Sequence, residues 1–209
     1  MKLAFLFSLI CVNLCFAQND EALNNKGAEL INQELYKDAL PIFNDLVKRN
    51  PENTLYRSNR ATVLFNLKEY KLALSDYYIL IKEIPDENEN YFQAGNVLEQ
   101  LDSLDKAVYY YSKAISIDKD YYIYFFKRGT VYLKQSQYKN AIEDFSKSVE
   151  LNPEHDNSYH NRGIAYYKIG LKEKACEDWC QALLKGNTKS ASHLDKNCEK
   201  YPSPCLLSK

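Results

Sequence analysis

The chain is 209 residues long and nearly charge-balanced, with 27 basic and 28 acidic side chains and a formal net charge of −1. That balance argues against broad nucleic-acid binding, which rests on a basic surface. The length bounds the chain at about one to one-and-a-half ordinary domains. Its first 17 residues read as a secretory signal: Met1-Lys2 is positive, Leu3 to Phe16 is almost wholly apolar, and Cys15 and Ala17 are small residues before a cut at Gln18. The apolar run is too short for a good membrane-spanning helix. Neither Cys11, after Ile10, nor Cys15, after Leu14, follows the small residue that a lipid anchor needs.

From residue 20 onward a period of 34 governs the sequence. Small residues recur at Gly27, Ala61, Gly95, Gly129 and Gly163. Alanines recur at Ala39, Ala73, Ala107, Ala141 and Ala175, and aromatic residues at Phe43, Tyr77, Tyr111, Phe145 and Trp179. Such a period with small residues at fixed offsets marks stacked helical hairpins. Units then begin at Asp20, Thr54, Asn88, Tyr122 and Asp156. The small residue at offset 8 falls mid-way along a first helix. The alanine at offset 20 and the aromatic at offset 24 share a face of a second, being four residues apart. Pro51, Pro85 and Pro153 stop the second helix. The third unit has Lys119 at that place, and the fifth ends in Gly186-Asn187. Many of the 18 tyrosines, such as Tyr70, Tyr77, Tyr111 and Tyr138, fall at positions that fill the core.

These units resemble the tetratricopeptide repeat. The fourth reads YIYFFKRGTVYLKQSQYKNAIEDFSKSVELNPEH and the fifth opens NSYHNRGIAYYKIG. The resemblance covers about residues 20–187 and implies an all-α solenoid of helical hairpins wound as a right-handed superhelix. The units span about 20–53, 54–87, 88–121, 122–155 and 156–187, followed by a capping helix and cysteine-containing tail over 188–209. Each repeat buries its apolar face on its neighbours, so a single central core is not required.

One internal correlation predicts contacts. Offset 7 is arginine and offset 23 aspartate in the second, fourth and fifth repeats, giving Arg60 with Asp76, Arg128 with Asp144 and Arg162 with Asp178. Both charges vanish together in the first repeat (Lys26, Ile42) and the third (Ala94, Tyr110). Charges that come and go together point to an ion pair between the two helices of one hairpin, with a structural role.

Four cysteines remain beyond the signal, Cys176, Cys180, Cys198 and Cys205, and an even number in an exported chain reads as disulfides. Cys176 and Cys180 lie one turn apart on one helix, so joining them would constrain little. A helix over about Thr188 to Tyr201 would run back beside them and bring Cys198 to Cys176, leaving Cys180 for Cys205. Zinc held by Cys176, Cys180, His193 and Cys198 is the alternative, but the paired spacing of a zinc ribbon or knuckle is absent. No catalytic motif, cofactor-binding loop or small-molecule site stands out, so no enzyme, cofactor or metal is expected.

The resemblance places the binding face on the first helices, at offsets 2, 5, 6, 9, 12 and 13. Carried over, the face includes Asn59, Phe65, Phe92, Asn96, Phe126, Lys127, Lys134, His160, Asn161, Tyr167 and Lys168. Amides can satisfy a peptide backbone and aromatic rings supply anchor pockets. The carboxylate clamp of the chaperone-binding members needs lysine at offset 5 and asparagine at offset 9 of one repeat. Only Asn96 fits, without its lysine. The expected function is therefore non-enzymatic binding of a protein or peptide, without nucleic acid, in the periplasm or outside the cell. A structural subunit that stacks by its ends is the alternative, and the membrane is met only through the transient signal. If the signal is cut after Ala17, the intact mass of the exported protein begins at Gln18. A product retaining residues 1–17 contradicts the cut.

Overall fold

The computed structural model describes residues 19–200, so the signal segment and Cys205 lie outside the described residues. Among the described residues every regular element is helical. The chain divides into two compact units at Pro85–Asp86. The first holds α1 (19–32), α2 (Tyr36–Arg49), α3 (Thr54–Asn66) and α4 (Tyr70–Glu83). The second holds α5 (Asn88–Gln100), α6 (Leu104–Ile117), α7 (Tyr122–Lys134), α8 (Tyr138–Leu151), α9 (Asp156–Lys168), α10 (Lys172–Leu184) and α11 (Lys189–Asn197). Successive helices pack as antiparallel pairs, α5 on α6, α7 on α8 and α9 on α10, and each pair packs on the next through α6 with α7 and α8 with α9.

The pairs close because a small residue faces an aromatic ring. A methyl placed on Gly27 would lie 2.6 Å from the Phe43 ring, and one on Gly95 would lie 2.7 Å from Tyr111. Gly163 faces Trp179 in the same way, at 2.7 Å. The rings of Phe43, Tyr111, Phe145 and Trp179 are buried, as are all five alanines of the ladder. Each such ring removes about 150–250 Å² from water, so these contacts carry a large part of the hydrophobic stabilisation.

Each first helix ends the same way. Glu34, Lys68, Asp102, Ser136 and Gly170 all have positive φ, from 54° to 85°. In each case the following amide reaches back five residues, as in Leu35 to Leu30, Ser103 to Leu98 and Leu171 to Tyr166. This is the Schellman end of a helix. Only Gly170 adopts the left-handed conformation freely; the other four side chains hold it at a cost, repeated once per repeat. The third repeat needs no proline: α6 ends at Ile117 with the same 14 residues as α4 and α8, and Lys119 follows where proline stands elsewhere.

The arginine–aspartate positions face each other inside their hairpins. Arg60 grips Asp76 with two bonds of 2.8 and 2.6 Å, Arg128 grips Asp144 at 2.8 and 2.7 Å, and Arg162 grips Asp178 at 2.8 and 2.8 Å. Two of these guanidiniums also donate backwards to the preceding hairpin, Arg128 to Ser112 at 2.8 Å and Arg162 to Ser146 at 3.1 Å. Burial alone would lower the Arg128 pKa, but the bonds to Asp144 and its charge raise it. Burial also pushes the Asp144 carboxyl up, against the pull of Arg128. Desolvation and attraction therefore oppose each other on both partners, and the pair fixes register more than it adds stability.

Cys176 is joined to Cys198, the residue that ends α11. The bond closes a separation of 22 residues, a constraint worth about 3 kcal/mol on the chain-entropy account. Cys180 is buried and not free; its expected partner, Cys205, lies outside the described residues. The capping helix is shorter than the sequence suggested, ending at Asn197 rather than near Tyr201.

Arg128→Ala strands the buried Asp144 and should destabilise by about 3 kcal/mol, the low end for a stranded charge, because Arg128 is partly exposed. Arg128→Leu combined with Asp144→Leu should recover most of that loss in urea unfolding. Simple additivity of the two single changes would mean that the pair is not coupled.

Candidate functional site

The expected binding residues lie on the first helices, α3 in the first unit and α5, α7 and α9 in the second. In the first unit Asn59 donates to Asn24 Oδ1 at 3.0 Å, linking α3 to α1. Phe65 is half-buried and tilted against Tyr70 at 5.7 Å. The charged cluster on α3 is internal: Arg57, buried, donates to Asp76 and to the carbonyl of Pro51.

Several expected contacts in the second unit are spent inside the fold. Phe92 is buried between Tyr111, at 5.7 Å, and Tyr124, at 4.9 Å, and is a core residue rather than an anchor pocket. Its offset points between consecutive first helices, where the side chain fills the packing seam. Asn96 accepts from the Tyr111 hydroxyl at 2.9 Å, a proton shared with Glu99 at 3.0 Å. Burial, then the charge and hydrogen bond of Glu99, raise the Tyr111 phenol far above its ordinary range. Lys134 donates to the same Glu99 at 2.5 Å, so its cation is already neutralised. His160 is buried and bonded to Ser190 of α11 at 2.7 Å. The capping helix takes the place that a further first helix would take, so His160 is not a groove residue.

What remains free is narrower. Lys127 on α7 and Asn161 on α9 stand at the same offset of successive first helices, which touch each other. Both are half-buried, and neither makes a side-chain hydrogen bond or ion pair among the described residues. Phe126 lies beside Lys127 but leans on Phe145, at 6.0 Å, and His155, at 4.7 Å. Tyr167 leans on Trp179 at 5.7 Å, and Lys168 is exposed. Ammonium, carboxamide and ring edges together can hold an extended chain: amides pair with its backbone and Lys127 with an acid. Among the described residues no cluster of histidine, cysteine and acidic groups could hold a metal ion.

The sequence did not point to the histidine cluster. His193 stacks on Trp179 at 4.6 Å and lies 5.4 Å from His160, whose carbonyl accepts the Trp179 indole N–H at 3.2 Å. His155 bonds Ser158 at 2.7 Å. No motif marks these residues, because their partners come from three different helices.

This geometry is that of a helical-hairpin repeat protein. Family models described as tetratricopeptide repeat match residues 24–88 and 89–121, and one described as TPR repeat matches 129–170. The chain belongs to the tetratricopeptide repeat family. MamA from Desulfovibrio magneticus RS-1 is 16% identical with a TM-score of 0.75, covering 81% of this chain and 96% of that one. YrrB, described as a TPR protein with an unusual peptide-binding site, is 19% identical with a TM-score of 0.71, covering 83% and 90%. TTC0263, a thermophilic TPR protein from Thermus thermophilus, is 18% identical with a TM-score of 0.63, covering 84% and 98%. No curated protein matches in sequence.

Burial lowers the pKa of His155, His160 and His193 below the ordinary 6.5. His193 and Lys189 lower His160 further and Asp156 opposes; Lys196 lowers His193. The unfolded chain then binds more protons than the folded one once pH falls below 6.5, so stability is lost downward from that value. The thermal midpoint should fall on acidification from about pH 7.5 to 5.5. His160→Gln, which does not titrate, should flatten that slope; an unchanged slope would remove His160 from the cause.

Proposed function

We propose that the chain is a non-enzymatic scaffold that holds a peptide segment of a partner protein along the first-helix face of α7 and α9, outside the cytoplasm. The observation that carries the reading is the pair Lys127 and Asn161, polar groups at equivalent positions of successive first helices with no internal partner among the described residues. Membership of a repeat family of binding scaffolds supports it, as does the likeness to YrrB, a protein with a peptide-binding site. The placement outside the cytoplasm rests on the charged-then-apolar start and on cysteines read as disulfides.

The second reading, a subunit that stacks by its ends, meets one adverse observation. The exposed residues of α11 are Lys189, Ser192, Asp195 and Lys196, a polar surface of the kind that terminates a repeat stack.

The chain beginning at Gln18 should capture a partner from envelope extract. Lys127→Glu with Asn161→Ala should reduce recovery about tenfold, with an unchanged melting midpoint. These two residues are chosen over Phe126, whose ring packs on Phe145 and whose loss would loosen the fold. Equal recovery by the variant would move the site off α7 and α9.

A further inference from the structure

The two segments joined by the Cys176–Cys198 bond bring more than sulfur together. Lys172 lies four residues before Cys176, one turn back on the same face of α10. Lys196, Asn197, Glu199 and Lys200 flank Cys198. With Tyr167 at the end of α9, these residues line one cavity of about 350 Å³. That volume is at the small end of the range for ligand clefts, about 300–1,000 Å³.

The cavity has a charge imbalance. Three ammonium groups face one carboxylate, Glu199, and among the described residues none of the three lysines is ion-paired. Lys172 Nζ lies over the Tyr167 ring at 5.9 Å. Lys172 is also the first residue of α10, whose N-terminus is capped by no side chain.

The geometry points to a binding site for an acidic peptide stretch, built by the disulfide and continuing the α9 face on which the partner is proposed to lie. It rests on that reading of a peptide-bearing partner. A peptide is favoured over nucleic acid or an anionic membrane because the lysines are confined to one cavity, with Glu199 among them, on a chain of net charge −1. Tyr167, which lines the cavity, stands at the C-terminal end of α9, the helix that carries Asn161, so a chain lying along α9 reaches the cavity at that end.

Fluorescence anisotropy with labelled hexaglutamate and hexaglutamine tests this on the chain beginning at Gln18. Hexaglutamate should bind at least about tenfold tighter than hexaglutamine. Lys172→Gln, Lys196→Gln and Lys200→Gln together should lower its affinity about tenfold and flatten its salt dependence. The same charge change at the exposed Lys37, Lys71 and Lys139 should leave it within about twofold. Cys176→Ser with Cys198→Ser should weaken binding like the cavity triple, while far-ultraviolet circular dichroism reports retained helix.

Equal binding of the two peptides overturns the site. So does an equal loss in the two lysine triples, or a folded serine variant with full affinity. Tighter lysine-dependent binding of phosphatidylglycerol vesicles or oligo-dT than of hexaglutamate overturns the acidic-peptide assignment. Partner recovery that falls with Lys127→Glu and Asn161→Ala but not with the cavity triple refutes the cavity and leaves the scaffold reading standing. Cavity-dependent hexaglutamate binding with full partner recovery by the Lys127 variant does the reverse.

Discussion

The fold depends on one recurring contact, a small residue on the first helix of a hairpin against an aromatic ring on the second. At Gly27, Gly95, Gly129 and Gly163 a methyl group would sit within 3.0 Å of that ring. Such proximity leaves no room for a side chain and sets how close the two helices come. Helix spacing, the stacking of one hairpin on the next and the direction of each first-helix face follow from it. The second repeat carries a methyl at this position: Ala61 and Tyr77 stand at the two offsets, and both are buried.

Charge adds register to this apolar frame. The guanidiniums of Arg128 and Arg162 lie between aromatic residues of their own helices, Phe125 and Tyr132 in one case and Tyr159 and Tyr166 in the other. Each also bonds an aspartate within its hairpin and a serine in the preceding one. The third repeat, with Ala94 and Tyr110 at these offsets, substitutes rings: Tyr110 lies against Tyr91 and Tyr109. Burial opposes charge in the Arg128–Asp144 and Arg162–Asp178 pairs, so their net stabilisation is small and a hairpin can dispense with one.

Contacts between fixed offsets were legible in the sequence. The helical hairpins, the small-to-aromatic ladder and the arginine–aspartate positions recur at constant spacing, and repetition supplied within one chain what a single segment cannot. The left-handed residue ending each first helix was not legible, although it too recurs every 34 residues. Its side chain is Glu, Lys, Asp, Ser or Gly, because the backbone bonds of the turn fix the conformation and the side chain does not. The binding face was only partly legible. Offsets place Phe92 and His160 on it, but whether a neighbour covers a side chain depends on which residue the neighbour brings. Ser190 and Tyr124 decide that, and they lie about one repeat further along. The lysine cavity was invisible for the same reason, since its members meet only when α11 is drawn back along α10.

The fifth repeat is where the central contact is most constrained. Trp179 donates its N–H to the His160 carbonyl and stacks on His193, so its ring is pinned from both sides. A methyl on Gly163 would meet Trp179 at 2.7 Å and the Ala175 carbonyl at 3.2 Å. Gly163→Ala is therefore the most direct measurement. On helix propensity alone the change should stabilise by about 1 kcal/mol, whereas overpacking against a pinned ring costs about 1–3 kcal/mol. Chemical denaturation of the chain beginning at Gln18 should show a clear loss of stability in the variant. A variant more stable than the wild type would contradict the claim that close small-to-aromatic contact holds the hairpins together.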